Sequence, residues 1–277
     1  MFELSNNLKI NYNKLIIIGD IHGDLKRLKD ILINENILNN NLQWIAENII
    51  VVQLGDQIDS VNRKNDIENW ELLKDTEVLK FTNILSNISK SKKSLFISIN
   101  GNHELMNVLG NFSYVSKNSL YTDRHNNFKK NGIYSNILAN RPLVLKINDL
   151  LFCHALIKKN HIDLLDKYNK DIFYINKLWT NYILLNKVNP EDKEIFDKLI
   201  LDNDGIVWTR NFDSKEDTEY VLKKLNCTYM FVGHNTVENI NLYNNIWLSD
   251  NGISRAYGKN SFQYIKIENN TINIITI

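Results

Sequence analysis

The sequence predicts an α/β fold built on a mixed sheet whose strands deliver polar groups to one place. Apolar runs at Leu15–Ile18, Ile49–Leu54 and Ser94–Ile99 each pass into a glycine followed by carboxylate, imidazole or amide side chains. Stretches with helical spacing lie between these runs. The last part of the chain alternates apolar and polar residues, the pattern of antiparallel strands. Open α/β sheets carry their sites at the carboxyl ends of strands, where the polar clusters fall.

Leu15-Ile16-Ile17-Ile18 reads as a buried strand closed by Gly19-Asp20-Ile21-His22-Gly23-Asp24. If extended geometry persists past its end, Asp20 and His22 leave the same face and can converge on a metal. A polar βα turn with Asp20 capping the next helix is the alternative. Leu25, Leu28, Ile31 and Leu32 place a helix over Leu25 to Asn36. The second apolar run ends in Gly55-Asp56-Gln57-Ile58-Asp59, a helix follows over Ile67 to Ser89, and the third run ends in Asn100-Gly101-Asn102-His103-Glu104. Leu105 to Asn140 has no assignable period. Leu143–Ile147 and Leu150–Cys153 form a hairpin around Asn148-Asp149, and its second strand delivers His154. Helical spacing returns over Ile162 to Lys187, in an inserted helical segment reaching about Asp202. A strand at Ile206-Val207-Trp208, a helix at Lys215 to Leu225 and a strand at Tyr229–Val232 lead to Gly233-His234. Ile240–Tyr243, Ile246–Leu248, Phe262–Ile267 and Thr271–Ile277 complete the sheet, with Asn-Asn pairs as turns. No linker or repeat divides the chain, so a single domain over 1–277 is expected.

A chain of 277 residues with 43% hydrophobic content can bury a substantial core. Its formal net charge of +1 gives no general attraction to nucleic acid or membrane. No stretch resembles a signal peptide or a spanning helix. Cys153 and Cys227 are too few for a disulfide framework, so a reducing, cytoplasmic location is the default.

His22, His103, His154 and His234 each follow an apolar strand, whereas His125 and His161 sit in polar surroundings and are expected to be exposed. The strand-end groups Asp20, His22, Asp56, Asn102, His154 and His234 suit Mn, Fe or Zn. The lack of cysteine among them argues against a closed structural zinc site. Six ligands exceed the needs of one open ion. Two ions about 3.5–4 Å apart, bridged by a shared carboxylate, fit better, with Asp56 as the bridge.

These clusters resemble, in order, the signatures of the calcineurin-like metallophosphatase superfamily. Asn235 after His234 is similar to the phosphoprotein phosphatase group. Longer stretches resemble its bacterial-like, Shewanella-like branch: Glu104-Leu105-Met106-Asn107 with Gly110 and Tyr114-Val115, Phe152-Cys153-His154, Asp204 to Arg210, and Asp250 to Ser254 with Ala256-Tyr257-Gly258. The resemblance implies a mixed β-sandwich flanked by helices, with the insertion at about 155–205 shaping the substrate entrance. It implies that Asp20 and His22 hold one metal, that Asn102, His154 and His234 hold the other, and that Asp56 bridges them. His103 would protonate the leaving group, with Asp59 orienting its ring, and Arg210 would grip two phosphoryl oxygens, with Asn102 also on the phosphate.

Departures from that pattern bear on the substrate. Asp59 is followed by Ser60-Val61 where the family usually has Arg-Gly, and His154 by Ala155-Leu156 where it usually has Gly-Gly. Arg63, Arg124 and Arg141 are candidates to replace the missing arginine, though a solvated surface role is the ordinary expectation for each. Glu104 and Asp250 could orient ligand histidines, or serve as caps or turn residues. Phe173, Tyr174, Trp179 and Tyr182 are expected in the core. The expected activity is hydrolysis of phosphorylated protein side chains, on serine/threonine or tyrosine, by direct attack of a dimetal-bound hydroxide. The partner is then a phosphoprotein or phosphopeptide, with no membrane and no nucleic acid. Hydrolysis of dinucleoside polyphosphates or RNA caps is the alternative enzyme, and a phosphopeptide-binding module the non-enzymatic one.

Overall fold

The apolar runs are continuous because the strands they form are covered on both faces. The computed structural model describes residues 6–60, 75–120 and 123–277. Its strands are β1 (Asn7–Leu8), β2 (Lys14–Ile18), β3 (Ile49–Gln53), β4 (Leu95–Ser98), β5 (Val144–Ile147), β6 (Leu150–Cys153), β7 (Tyr229–Val232), β8 (Asn241–Tyr243), β9 (Ile246–Leu248), β10 (Gln263–Glu268) and β11 (Thr271–Thr276). They form a five-stranded sheet, β11-β10-β2-β3-β4, and a six-stranded sheet, β1-β5-β6-β7-β9-β8. β2, β3 and β4 are parallel, while β10 runs antiparallel to both β2 and β11. In the other sheet β6, β7 and β9 are parallel, and the hairpin pairs β5–β6 and β8–β9 are antiparallel.

Alternation along β2 assigns each side chain to a layer. Leu15 and Ile17 pack with Ile50 and Val52 against Phe152 and Phe231 of the opposing sheet, which makes the interior of a sandwich. Ile16 and Ile18 face the other way, onto Leu28, Ile31 and Leu32 of helix α1 (Leu25–Asn34) and Val78 of α2 (Asp75–Ile88). Asp24 caps α1 by accepting the Arg27 backbone N–H at 3.2 Å. Asp20, the capping alternative read from the sequence, is therefore not the cap. The helix expected over Ile67 to Ser89 is present from Asp75, and residues 67–74 lie outside the described residues.

Helices α3 (Asn102–Val108), α4 (Lys117–Leu120), α5 (Arg124–Phe128) and α6 (Ile133–Ala139) occupy the stretch that had no readable period. Each is a turn or two long, too short for apolar spacing to repeat. The outer face of the six-stranded sheet is covered by α7 (Lys159–Lys167), α8 (Tyr174–Leu185), α9 (Lys193–Phe196) and α10 (Lys215–Lys224), with α6. Trp179 is fully buried there, and Phe173, Tyr174 and Tyr182 pack against the same core.

Three expectations need correction. The single helix over Ile162 to Lys187 is two, because Asn169 adopts φ 52° and the Lys170 N–H turns back to the Leu165 carbonyl at 3.0 Å. Ile206-Val207-Trp208 is a turn and not a strand, since the Trp208 and Thr209 N–H groups both close on the Gly205 carbonyl. His161 is buried and not exposed: its Nδ1 accepts the Lys158 N–H at 3.2 Å and its Nε2 donates to the Asp204 carbonyl at 2.7 Å. His125 is exposed. Among the described residues no helix is long and apolar enough to cross a membrane.

Candidate metal centre

The carboxyl ends of both sheets meet at one pocket. β2 delivers Asp20 and His22, β3 delivers Asp56 and Asp59, β4 runs through Gly101 into α3 with Asn102 and His103, β6 delivers His154, and β7 delivers His234. Asp20, His22, Asp56, Asn102, His103, His234 and Arg210 line a cavity of about 580 Å³. His154 lies fully buried beneath it, within 4.8 Å of ligand atoms on Asp56 and His234.

Two features let the polar ends crowd together. A Cβ on Gly101 would collide with Asp56 Oδ1, and one on Gly233 with Asp20 Oδ1, so neither position tolerates a side chain. His22, Asp56, Asp59 and His234 themselves adopt φ values of 41°, 49°, 65° and 62°. That left-handed region is unfavourable for these residues, and it turns their side chains off the strand direction into the pocket.

Asp56 is central. Its Oδ1 accepts the His103 backbone N–H at 3.0 Å, while its Oδ2 lies 3.2 Å from His154 Nε2 and 4.0 Å from His22 Nε2. Each of three imidazoles spends one nitrogen on a backbone carbonyl: His22 Nδ1 on Ile58, His154 Nδ1 on Leu54 and His234 Nε2 on Trp208, at 3.0, 2.8 and 2.9 Å. A ring that donates on one side keeps a lone pair on the other, the state a metal ligand requires. His154 Nε2 then faces Asn102 Oδ1 at 2.9 Å and Asp56 Oδ2 at 3.2 Å, a meeting of acceptors that a cation would relieve.

The electrostatics agree with that donor set. Burial, with Asp250 and Asp56 nearby, holds the Asp20 carboxyl well above its usual range. Burial also raises Glu104 and Asp250. Burial pushes Asp56 up too, but His154, His103 and His22 outweigh it and hold this carboxyl well below its usual value. Burial beside His154 drives His234 down to about 3. Against the pull of burial, Asp56 in turn holds His154 above its usual value, and this buried cluster of carboxylates and imidazoles suits a cation site of oxygen and nitrogen donors. Among the described residues two groups of side chains could hold an ion, His22-Asp56-His103 and Asp56-His154-His234; they share Asp56, and Asp20 belongs to neither, its Oδ2 lying 4.0 Å from His22 Nε2.

His103 differs from the other three rings. Its Nδ1 donates to a carboxylate, Asp59 Oδ2, at 2.8 Å, and its Nε2 is 3.7 Å from Asp56 Oδ2. Arg210 is exposed at the rim, where its Nη1 donates to the His234 carbonyl at 2.9 Å and to Asn235 Oδ1 at 3.0 Å. Among the described residues lining the pocket it is the one arginine or lysine. Ser60, standing where the family usually has arginine, is fully buried with its hydroxyl 3.3 Å from that of Ser116.

Several expectations change here. Glu104 takes the capping role that the sequence also allowed: its carboxylate accepts the Gly101 N–H at the start of α3 at 2.7 Å and those of Asp56 and Gln57 at 2.9 and 2.8 Å, stapling the β3 loop to the β4 loop. Asp250 accepts from the Thr236 hydroxyl at 2.7 Å and the Gly252 N–H at 2.9 Å. Arg124 and Arg141 are buried and not solvated, the latter bound to Gln57, Thr82 and the Leu79 carbonyl. Arg63 lies outside the described residues. The aromatics Tyr114, Trp208 and Tyr257 also line the pocket. Each falls in a stretch that carries the family resemblance, but no periodicity pointed to the pocket, because each reaches the rim from a different loop.

A two-sheet sandwich with such a candidate centre at its strand ends is the setting of a metal-dependent hydrolase, and comparison with known proteins narrows the class. The sequence profile of the calcineurin-like phosphoesterase family matches residues 14–238, and the chain belongs to that family. Shewanella-like protein phosphatase 1 of Plasmodium berghei is 30% identical over 98% of this chain and 76% of its own length. Shewanella-like protein phosphatase 2 of Arabidopsis thaliana is 32% identical over 39% of this chain and 25% of its own. Among solved structures, the cold-active protein-tyrosine phosphatase of a psychrophilic Shewanella superposes with a TM-score of 0.77 at 19% identity, covering 97% of this chain and 80% of that one. A protein serine/threonine phosphatase from Saccharomyces cerevisiae gives 0.62 at 14%, covering 98% and 83%. At these identities the structures speak for the fold.

Proposed function

We propose that the chain hydrolyses phosphate monoesters on protein side chains with two metal ions in this pocket. Asp20, His22 and Asp56 would hold one ion, and Asp56, Asn102, His154 and His234 the other, with Mn, Fe or Zn suited to the donors. Bound there, such a pair supplies a nucleophile from water at neutral pH and neutralises phosphoryl charge. The chain's own residues do the rest. Arg210 presents a planar fork at the rim that matches two phosphoryl oxygens, with the Asn102 amide beside them. His103 carries a proton on the pocket side, Asp59 holds its ring in register, and this proton goes to the departing oxygen as the ester bond breaks. The observation that carries this reading is Asp56 Oδ2 facing His154 Nε2 at 3.2 Å and His22 Nε2 at 4.0 Å, with Asp20 Oδ2 also 4.0 Å from His22 Nε2 and the carboxylate-held His103 beside them.

The rim aromatics Tyr114, Trp208 and Tyr257 favour one second reading, a dinucleoside polyphosphatase that stacks a base. Purified protein loaded with Mn, Fe or Zn should hydrolyse phosphotyrosine or phosphoserine peptides, and Arg210→Ala should raise KM for them by about tenfold or more, the scale of one charge-assisted contact. Turnover of diadenosine tetraphosphate without turnover of either peptide would replace this reading with the second.

A further inference from the structure

Arg124, at the start of α5, does not reach the pocket. It is 3% exposed and lies behind Asp59. Its Nη2 donates to Asp59 Oδ1 at 3.0 Å, its Nε to Asn107 Oδ1 at 2.8 Å, and its Nη1 sits 2.9 Å from Asp75 Oδ2. The same Asp75 oxygen accepts the Asp59 backbone N–H at 3.3 Å. Asn107 completes the cradle by donating to Asp59 Oδ1 at 2.8 Å and to the His103 carbonyl at 2.9 Å. The guanidinium lies 5.0 Å from the centre of the Phe128 ring and 5.9 Å from that of Phe112, so its plane has aromatic walls. The two oxygens of Asp59 are thus divided. Oδ2 takes the His103 ring, and Oδ1 is held from behind.

The geometry points to Arg124 as a positioning residue for the leaving-group proton: it fixes Asp59, and Asp59 fixes the ring of His103. This rests on His103 being the acid proposed above. A carboxylate held only by the imidazole it orients could turn about its own Cβ–Cγ bond and take the ring with it. Arg124 grips the opposite oxygen and also holds Asn107, the second donor to it, so a rigid fork reaching both removes that freedom where a lysine ammonium cannot. A side chain acting by this route matters only when the leaving oxygen needs its proton. A residue that merely supports the fold would affect all substrates alike.

Two aryl phosphates separate the cases, 4-nitrophenyl phosphate with a good leaving group and 4-methylphenyl phosphate with a poor one. Arg124→Met in the metal-loaded protein should lower kcat on the methyl ester by about 10²-fold, but by less than about tenfold on the nitro ester. KM and metal content should stay as in the parent. In an Asp59→Asn background, adding Arg124→Met should cost little further, because the route is already cut. Equal losses on both esters, or losses that multiply in the double variant, would overturn the proposal. Should Arg124→Met not fold, Arg124→Lys decides: a leaving-group gap of about fivefold supports the route, and the parent's ratio refutes it. His103→Asn serves as the control. If it also shows no leaving-group dependence, the acid role of His103 fails and this inference with it; if it shows the dependence and the Arg124 variants do not, only the inference fails.

Discussion

Asp56→Asn should strip both ions from the protein together. Asp56 Oδ2 faces His154 and His22 from one position, and the carboxylate belongs to both metal-capable groups. The amide keeps the shape and can still accept the His103 N–H, so the loops of β3 and β4 should stay in place. What it loses is the negative charge and a second lone-pair oxygen, the requirements of a bridge. Elemental analysis of the purified variant should find less than one ion per chain, circular dichroism should match the parent, and phosphatase activity should fall to background. Retention of one full ion would show that Asp56 serves a single metal.

Replacement of His103 by Asn should produce the reverse pattern, with metal content intact and turnover reduced by about 10²–10⁴-fold. The loss should be largest for alkyl and unactivated aryl phosphates, which cannot depart without a proton. The Nδ1 of His103 is held by a carboxylate, whereas His22, His154 and His234 each give one ring nitrogen to a backbone carbonyl. Both arrangements orient a ring, and the carboxylate leaves the Nε2 of His103 as the ring atom turned to the pocket. Unchanged turnover of an alkyl phosphate in the variant would remove His103 from the role of acid.

The parts of this molecule legible in the sequence are those where local pattern and tertiary role coincide. Leu15–Ile18 is apolar at every position because β2 is covered on both faces, and the glycine after it marks the place where Asp20 turns inward. Gly101 and Gly233 stood out for the same reason, since crowded ligands demand a missing side chain. Arg124 and Arg141 were illegible. An arginine in a polar stretch carries no sign of burial, and their partners Asp59 and Gln57 lie 65 and 84 residues away. His161 misled because its neighbours are polar while its ring caps α7 against the Asp204 loop. Ile206-Val207-Trp208 had strand composition, but the Gly205 carbonyl draws in the Trp208 and Thr209 N–H groups and closes a turn there, leaving the Trp208 carbonyl to accept from His234.

The left-handed backbone at His22, Asp56, Asp59 and His234 sets the chain's evolutionary options. Each costs about 1–2 kcal/mol that glycine would not incur. Drift toward greater thermal robustness therefore runs directly through replacement of these four residues, and selection for turnover must oppose it at each. A descendant freed from the proposed chemistry, kept only to bind a partner, would be expected to lose these four side chains first, while the glycines beside them and the sandwich beneath endured.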